Sequence, residues 1–216
     1  MTNAHRDALF VLVKSLSKSE KRQFKLYVGR LGVNTDAKFL ALFNLLDRLK
    51  KYDEKAILES GIVKKAQLSN LKAHLYKQIL VSLRLNPVNQ TIRLQIREQL
   101  DFATILYQKG LYKQSLKILD KAKSIAIENE EKNIAYEIVE LEKIIETQYI
   151  TRSIPDRANE LAVQAKELSA QNVITSKLSN LSLQLYGLML KVGYVRSDGD
   201  HKRVKEYFER HLPKHR

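Results

Sequence analysis

The spacing of apolar residues constrains the fold of this chain more than any other feature. Apolar side chains recur every three and four residues along nearly the whole sequence, and no stretch alternates as a β-strand would. The 216 residues include only 7 Gly and 3 Pro, which turn-rich folds need in larger numbers. We therefore predict an all-α fold.

Local signals predict where helices begin and end. Ser17 and Glu20 form an S-x-x-E pattern, in which each residue satisfies an unpaired amide at a helix start. Asn86-Pro87 is expected to end a long helix over roughly 64–85, because proline disfavours helical conformation in the residue before it. This point is the predicted domain boundary. It separates a basic N-terminal helical subdomain, 1–86, from a region of helical hairpins, 88–216.

Six helices are expected in the second region, paired as three hairpins. The predicted pairs are 89–109 with 113–128, 131–149 with 155–170, and 173–192 with 201–212. The turn signals between these helices are Gly110, Asn129, Pro155, Asn172 and the run Gly193–Asp200. One two-helix unit has too little core to bury its own apolar stripe, so the hairpins are predicted to stack.

The first hairpin carries a more specific pattern of small and aromatic residues. The positions concerned are Ala103, Leu106, Gly110, Tyr112, Ser115, Leu119 and Ala122. This pattern resembles one tetratricopeptide repeat, with Ser115 where alanine is usual and Ile127 where the closing proline is usual. The resemblance implies stacked antiparallel hairpins in an α-solenoid, a superhelix of the tetratricopeptide type, although HEAT-like packing stays open. The stretch 12–24 also resembles the opening of bacterial proteins that place a small helical domain before such repeats.

The resemblance also implies a candidate peptide groove on the first helix of the hairpin. Arg97, Leu100, Thr104 and Tyr107 would point into the concave surface where repeats of this family hold extended peptides. Buried packing against the neighbouring helix is the alternative for Leu100 and Tyr107. Carboxylate-clamping members use several Lys and Asn here, and only Arg97 is comparable, so that specificity is not predicted.

The chain is basic, and its positive charge is concentrated at the N-terminal end. The net charge is +14, and residues 1–100 hold 19 Lys and Arg against 8 Asp and Glu. Lys18, Lys21, Arg22 and Lys25 share one face of a predicted helix and form a candidate polyanion contact, with Lys14 just before them. Such a row can bind phosphates and release counterions. The alternative is the solvated face of an amphipathic helix.

A second basic cluster follows the turn at Ser60-Gly61-Ile62. It comprises Lys64, Lys65, Lys72 and Lys77, and it invites a helix–turn–helix interpretation in which 64–85 is the recognition helix. Two features oppose this interpretation. The helix is long for that role, and its second half, with Leu75, Ile79 and Leu83, carries the spacing of a buried face.

Residues for catalysis, metals or cofactors do not form a motif. The chain contains no Cys, no Gly-rich phosphate loop, no G-x-S-x-G and no paired His-Glu motif. His211 and His215 have the spacing of a helical metal site, but Pro213 between them would break that helix. We therefore predict a protein that is not an enzyme and that uses no cofactor or metal. Without a signal peptide, and with 8–16 too short to span a membrane, it is expected in the cytoplasm.

These observations leave two functions open. The first is a protein- or peptide-binding scaffold that uses the helical-repeat surface. The second is a nucleic-acid-binding protein that uses the basic N-terminal helices. A homo-oligomer formed through the last helix is a further expectation, since Val204, Tyr207, Phe208 and Leu212 make one apolar stripe there. No membrane partner is expected.

Overall fold

The computed structural model describes residues 7–31, 35–148, 156–195 and 197–213, and within them every regular element is helical. The helices are α1 (Ala8–Ser15), α2 (Lys18–Leu31), α3 (Thr35–Arg48), α4 (Glu54–Glu59), α5 (Lys65–Leu85), α6 (Ile92–Gln108), α7 (Tyr112–Glu128), α8 (Lys132–Gln148), α9 (Arg157–Val192) and α10 (Asp198–His211), with a 3₁₀ turn at Pro87–Asn89. The all-α prediction is confirmed. Pro155 and His215 lie outside the described residues. The described residues form two compact units that divide between Thr91 and Ile92.

Unit 1 packs α1, α2, α3 and α5 around an aromatic and aliphatic core. The rings of Phe24 and Phe43 lie 4.7 Å apart between α2 and α3. Leu42, Leu46, Ile57, Leu75 and Ile79 are completely buried in the same core. The apolar stripes that predicted these helices are therefore the surfaces that meet in the unit.

The start of α2 and the end of α5, which were predicted from local signals, are both confirmed. At the start of α2, the backbone N–H of Ser17 donates to Glu20 Oε2 at 2.8 Å, and the N–H of Glu20 donates to Ser17 Oγ at 3.2 Å. The hydrogen bond from the Ser17 backbone lowers the pKa of Glu20. At the other end, α5 stops at Leu85, and the Asn86 side chain accepts a hydrogen bond from the N–H of Val88 at 3.2 Å. The functional division into 1–86 and 88–216 stays a prediction.

Unit 2 begins with two antiparallel hairpins, α6–α7 and α8–α9. Gly110 joins the first pair with a φ of +74°, a left-handed conformation that glycine adopts without a steric penalty. The N–H of Leu111 donates to the carbonyl of Leu106 at 2.9 Å and closes that turn. The core between the helices includes Ile96, Leu119, Ile134, Ile138, Ile145 and Leu161. Because α6 contacts α8 as well as α7, the two hairpins stack on each other.

The predicted third hairpin is wrong in one respect, because no helix ends at Asn172. Instead α9 is a single helix of 36 residues from Arg157 to Val192. Asparagine is less favourable than alanine inside a helix by less than ~1 kcal/mol, and neither Gly nor Pro occurs between Arg157 and Tyr186 to reinforce a break. The Asn172 side chain donates to the carbonyl of Lys132 at 3.5 Å and does not cap a new helix. α10 then packs on α9.

Among the described helices, none combines the length and the apolar composition needed to cross a membrane.

Candidate binding sites

The four residues named above as a candidate polyanion contact lie together on α2. Lys18, Lys21, Arg22 and Lys25 border one shallow depression of about 380 Å³, and the half-exposed side chain of Leu26 completes it. Because α2 packs on the core through Phe24 and Val28, its cationic residues lie along the flank of the helix beside that buried side. Four positive charges thus share one surface.

Two of these four cations are held by neighbouring groups. Lys21 Nζ lies 2.7 Å from Asp47 Oδ1, and Lys25 Nζ lies 6.0 Å from the centre of the Phe43 ring. Within the part of the chain that the structure describes, Lys18 and Arg22 form no ion pair. These two side chains are therefore the ones best placed to contact an anion.

The second basic cluster is divided by the fold. Lys64, Lys65 and Lys77 are exposed, whereas Lys72 donates hydrogen bonds to the Asp7 carboxylate and, at 3.0 Å, to the Tyr52 hydroxyl. Burial lowers the pKa of Lys72, but these two hydrogen bonds outweigh burial, and the pKa is raised. Lys72 therefore ties α5 to the start of α1 instead of joining the exposed lysines.

The candidate peptide-groove residues on α6 mostly contact other parts of unit 2. Arg97 Nη1 lies 2.6 Å from Glu137 Oε2, and the Tyr107 hydroxyl donates to Gln148 Oε1 at 3.0 Å, so both reach α8. Leu100 is buried in the core. Thr104 Oγ1 donates to the carbonyl of Leu100 at 2.8 Å. The four residues do lie on one side of α6, but this side faces α8.

A buried ion cluster, which we did not predict, joins α7, α8 and α9. Lys123 Nζ lies 2.6 Å from Glu142 Oε2, and Arg157 Nη2 lies 3.4 Å from Glu142 Oε1. Arg157 Nη2 also lies 3.3 Å from Asp120 Oδ1. Glu142 is completely buried, and burial raises its pKa although both cations oppose the shift. The cluster links the two hairpins of unit 2 electrostatically.

The sequence does contain a signal for this cluster. Lys123 follows Leu119 by four residues and precedes Ala126 by three, so it occupies an apolar position of α7. Glu142 follows Ile138 by four residues and precedes Ile145 by three, so it occupies an apolar position of α8. A lysine and a glutamate at core positions of adjacent helices predict a buried ion pair.

The α9–α10 cavity is a concave surface of unit 2 between the end of α9 and the start of α10. Its volume is about 430 Å³, and it is lined by Leu185, Leu188, Met189, Gly193, Tyr194, Val195, Asp200, Arg203 and Val204. The side chains are mostly apolar, with one acid and one cation at the α10 side. Such a cavity can hold an apolar side chain of a partner.

The described residues contain no group of three His, Asp or Glu arranged to hold a metal ion. His211 Nδ1 lies 2.8 Å from the carbonyl of Tyr207, and the two rings are stacked 4.2 Å apart. His211 therefore packs locally on α10.

Comparison with protein-family models, with curated proteins and with solved structures finds no match for this chain.

Proposed function

We propose that this chain is a non-enzymatic scaffold that binds a protein or peptide partner through unit 2, with hairpins of the tetratricopeptide type. Ser115, which stands at the small-residue position of that pattern, is completely buried, and its hydroxyl donates to the carbonyl of Ala103 at 2.7 Å. A small residue there lets α7 approach α6 closely. The absence of Cys fits a protein of the reducing cytoplasm.

The observation that carries this proposal is the α9–α10 cavity. Its volume of about 430 Å³ falls in the range of about 300–1,000 Å³ that is usual for ligand pockets, which are predominantly apolar. Apolar side chains of a bound peptide would gain free energy by leaving water for this cavity. A binding surface of this kind needs no catalytic constellation.

Panning a phage-displayed library of random peptides against the whole chain tests the proposal. We expect enrichment of a consensus with a large apolar anchor residue. Val204→Trp should fill the cavity and abolish the enrichment, whereas Val163→Trp, at an exposed position of α9 that is not among the cavity residues, should leave it unchanged. A wild-type chain that enriches no consensus contradicts the proposal.

A second function, nucleic-acid binding, is favoured by Lys18 and Arg22, which form no ion pair in the described structure. Contacts from these residues would go to phosphates and would be independent of base sequence. Titration of duplex and single-stranded DNA and RNA at two salt concentrations measures the effect. Lys18→Gln with Arg22→Gln should weaken binding to all sequences alike and reduce the salt slope by about 2.

The matched control for nucleic-acid binding is Lys113→Gln with Lys117→Gln. This change removes the same charge from an exposed part of α7. It should lower the affinity for nucleic acid much less than Lys18→Gln with Arg22→Gln does. A wild-type chain that binds no nucleic acid at low salt rules this function out.

A further inference from the structure

The α9–α10 cavity is built by one continuous segment, residues 185–204. α9 supplies one wall of the cavity, with Leu185 and Leu188, and α10 supplies another, with Val204. Gly193 follows α9 with a φ of +80°, a left-handed conformation that lets the chain turn back. Val195, which comes after this turn, lines the cavity as well. Three consecutive parts of the chain therefore present aliphatic side chains to one space.

Two charged side chains also line this cavity, and both belong to α10. Asp200 and Arg203 are three residues apart, so their side chains are neighbours on the surface of the helix. The other charged residues of α10 are not among the residues that line the cavity. The wall thus combines a mainly apolar surface with one carboxylate and one guanidinium group side by side.

Both charged groups can bind a ligand. Arg203 is exposed and forms no ion pair within the part of the chain that the structure describes, so its N–H groups can meet an anion. Asp200 Oδ2 accepts a hydrogen bond from Ser197 Oγ at 2.9 Å, which fixes the carboxylate at the start of α10. A carboxylate has about four acceptor positions, so Asp200 can accept from an ammonium group in addition to Ser197.

The paired charges select for a ligand that carries both signs. A ligand with only a carboxylate would attract Arg203 but be repelled by Asp200, and a ligand with only an amine would meet the reverse situation. An α-amino acid carries an ammonium group and a carboxylate on one carbon atom, so each group can face its opposite charge. An apolar side chain on the same carbon would gain free energy by leaving water for the aliphatic wall.

We propose that the α9–α10 cavity binds a free α-amino acid with a large apolar side chain, of the size of leucine, methionine or phenylalanine. Asp200 binds its ammonium group, Arg203 binds its carboxylate, and the side chain packs between α9 and Val204. An apolar cavity of about 150 Å³ already holds benzene, so about 430 Å³ is sufficient for such a ligand. A consequence for regulation rests on the proposed scaffold function: the free amino acid and the apolar anchor of a peptide would compete for this cavity.

Isothermal titration calorimetry of the full chain with L-leucine tests the inference. We expect saturable binding with a dissociation constant below about 1 mM. L-alanine should bind at least about tenfold more weakly, because its side chain has three fewer carbon atoms to bury. Two analogues test the charges, since 4-methylpentanoate lacks the amino group and 3-methylbutylamine lacks the carboxylate. Each should also bind at least about tenfold more weakly than L-leucine.

Three variants connect this binding to the cavity. Asp200→Asn and Arg203→Gln should each weaken L-leucine at least about tenfold, and Val204→Trp should abolish binding because it fills the cavity. Arg210→Gln is the matched control, since it removes a cation from an exposed position of α10 that is not among the cavity residues. It should leave the affinity unchanged.

The analogues distinguish a lost contact from a damaged fold. Arg203→Gln should weaken L-leucine but not 3-methylbutylamine, which has no carboxylate for Arg203 to bind. Asp200→Asn should likewise weaken L-leucine but not 4-methylpentanoate. A variant that only disturbs the start of α10, where Asp200 contacts Ser197, would weaken every ligand alike.

The outcomes separate this inference from the scaffold function. The inference is overturned if L-leucine shows no saturable binding, if both analogues bind as tightly as L-leucine, or if Arg203→Gln leaves its affinity unchanged. If the random library nevertheless yields a consensus that Val204→Trp abolishes, the scaffold function stands without an amino-acid ligand. If L-leucine binds as expected and the library yields no consensus, the amino-acid site stands and the scaffold function fails.

Discussion

Replacing Lys123 by methionine should remove the nearer of the two cations that contact the buried carboxylate of Glu142 and leave it with Arg157 at 3.4 Å. The lysine side chain is 10% exposed and the glutamate side chain is completely buried, so water cannot take over the ion pair. Removing one partner of a buried ion pair lowers the free energy of unfolding by about 3–5 kcal/mol. Here the loss cannot exceed the free energy needed to protonate Glu142, because the carboxylate can take up a proton and become neutral. For a carboxyl with the ordinary pKa of 4.5, protonation at pH 7 costs about 3.4 kcal/mol.

Because protonation of Glu142 limits the loss of stability, this loss should become smaller as the pH falls. Glu142 already has a raised pKa in the folded protein, and loss of Lys123 raises it further. A folded-state pKa above the unfolded value means that stability increases as the pH falls towards the unfolded pKa. At pH 5 the same protonation costs about 0.7 kcal/mol, so the penalty of Lys123→Met should shrink by up to about 2.7 kcal/mol.

Urea unfolding followed by far-UV circular dichroism at pH 7 and pH 5 measures this effect. Lys123→Met with Glu142→Met should recover most of the lost stability, since no charge is then left without its partner. Lys121→Met, at an exposed position of α7, is the matched control and should change stability by less than about 0.5 kcal/mol. A penalty for Lys123→Met that is equal at both pH values would refute the reasoning.

Three further predictions concern the helix ends. Asn172→Ala should stabilise the chain by a few tenths of a kcal/mol in thermal melts, because the residue lies inside α9; a loss of about 1 kcal/mol would indicate a helix start there. Ser17→Ala should lower the free energy of unfolding by about 1 kcal/mol in urea, with the exposed Ser19→Ala as the neutral control. Gly110→Ala should lower it by about 1–2 kcal/mol, because an L-residue is strained at a φ of +74°; an unchanged melting temperature would contradict this.

The parts of the fold that follow from local rules could be predicted from the sequence. The α2 start depends on Ser17 and Glu20, and the α5 end depends on Asn86 and Pro87, so neither needs knowledge of distant contacts. The face of α2 that carries Lys18 and Arg22 follows from the three-and-four spacing of its apolar residues. Each of these signals involves only residues that are a few positions apart in the sequence.

The misplaced break at Asn172 shows where local rules fail. Asparagine is common in turns and only mildly unfavourable in helices, so its presence does not decide between the two. The neighbouring residues do not decide either, because Ala170 and Gln171 before it favour a helix whereas Val173, Ile174 and Thr175 after it are β-branched. The contacts of Arg97 and Tyr107 could not be predicted for another reason. Both residues contact α8, and which residues of α6 and α8 lie opposite each other is decided only when the two helices pack.

The most direct test of the proposed scaffold is hydroxyl-radical footprinting of the chain with and without a saturating peptide that carries the consensus from the random library. The scaffold account predicts that Met189 and Tyr194, which line the α9–α10 cavity, become protected from oxidation. Phe102 and Ile105, which are exposed on α6, should react equally in both samples. Protection of the α6 pair while Met189 and Tyr194 stay unprotected would contradict the account.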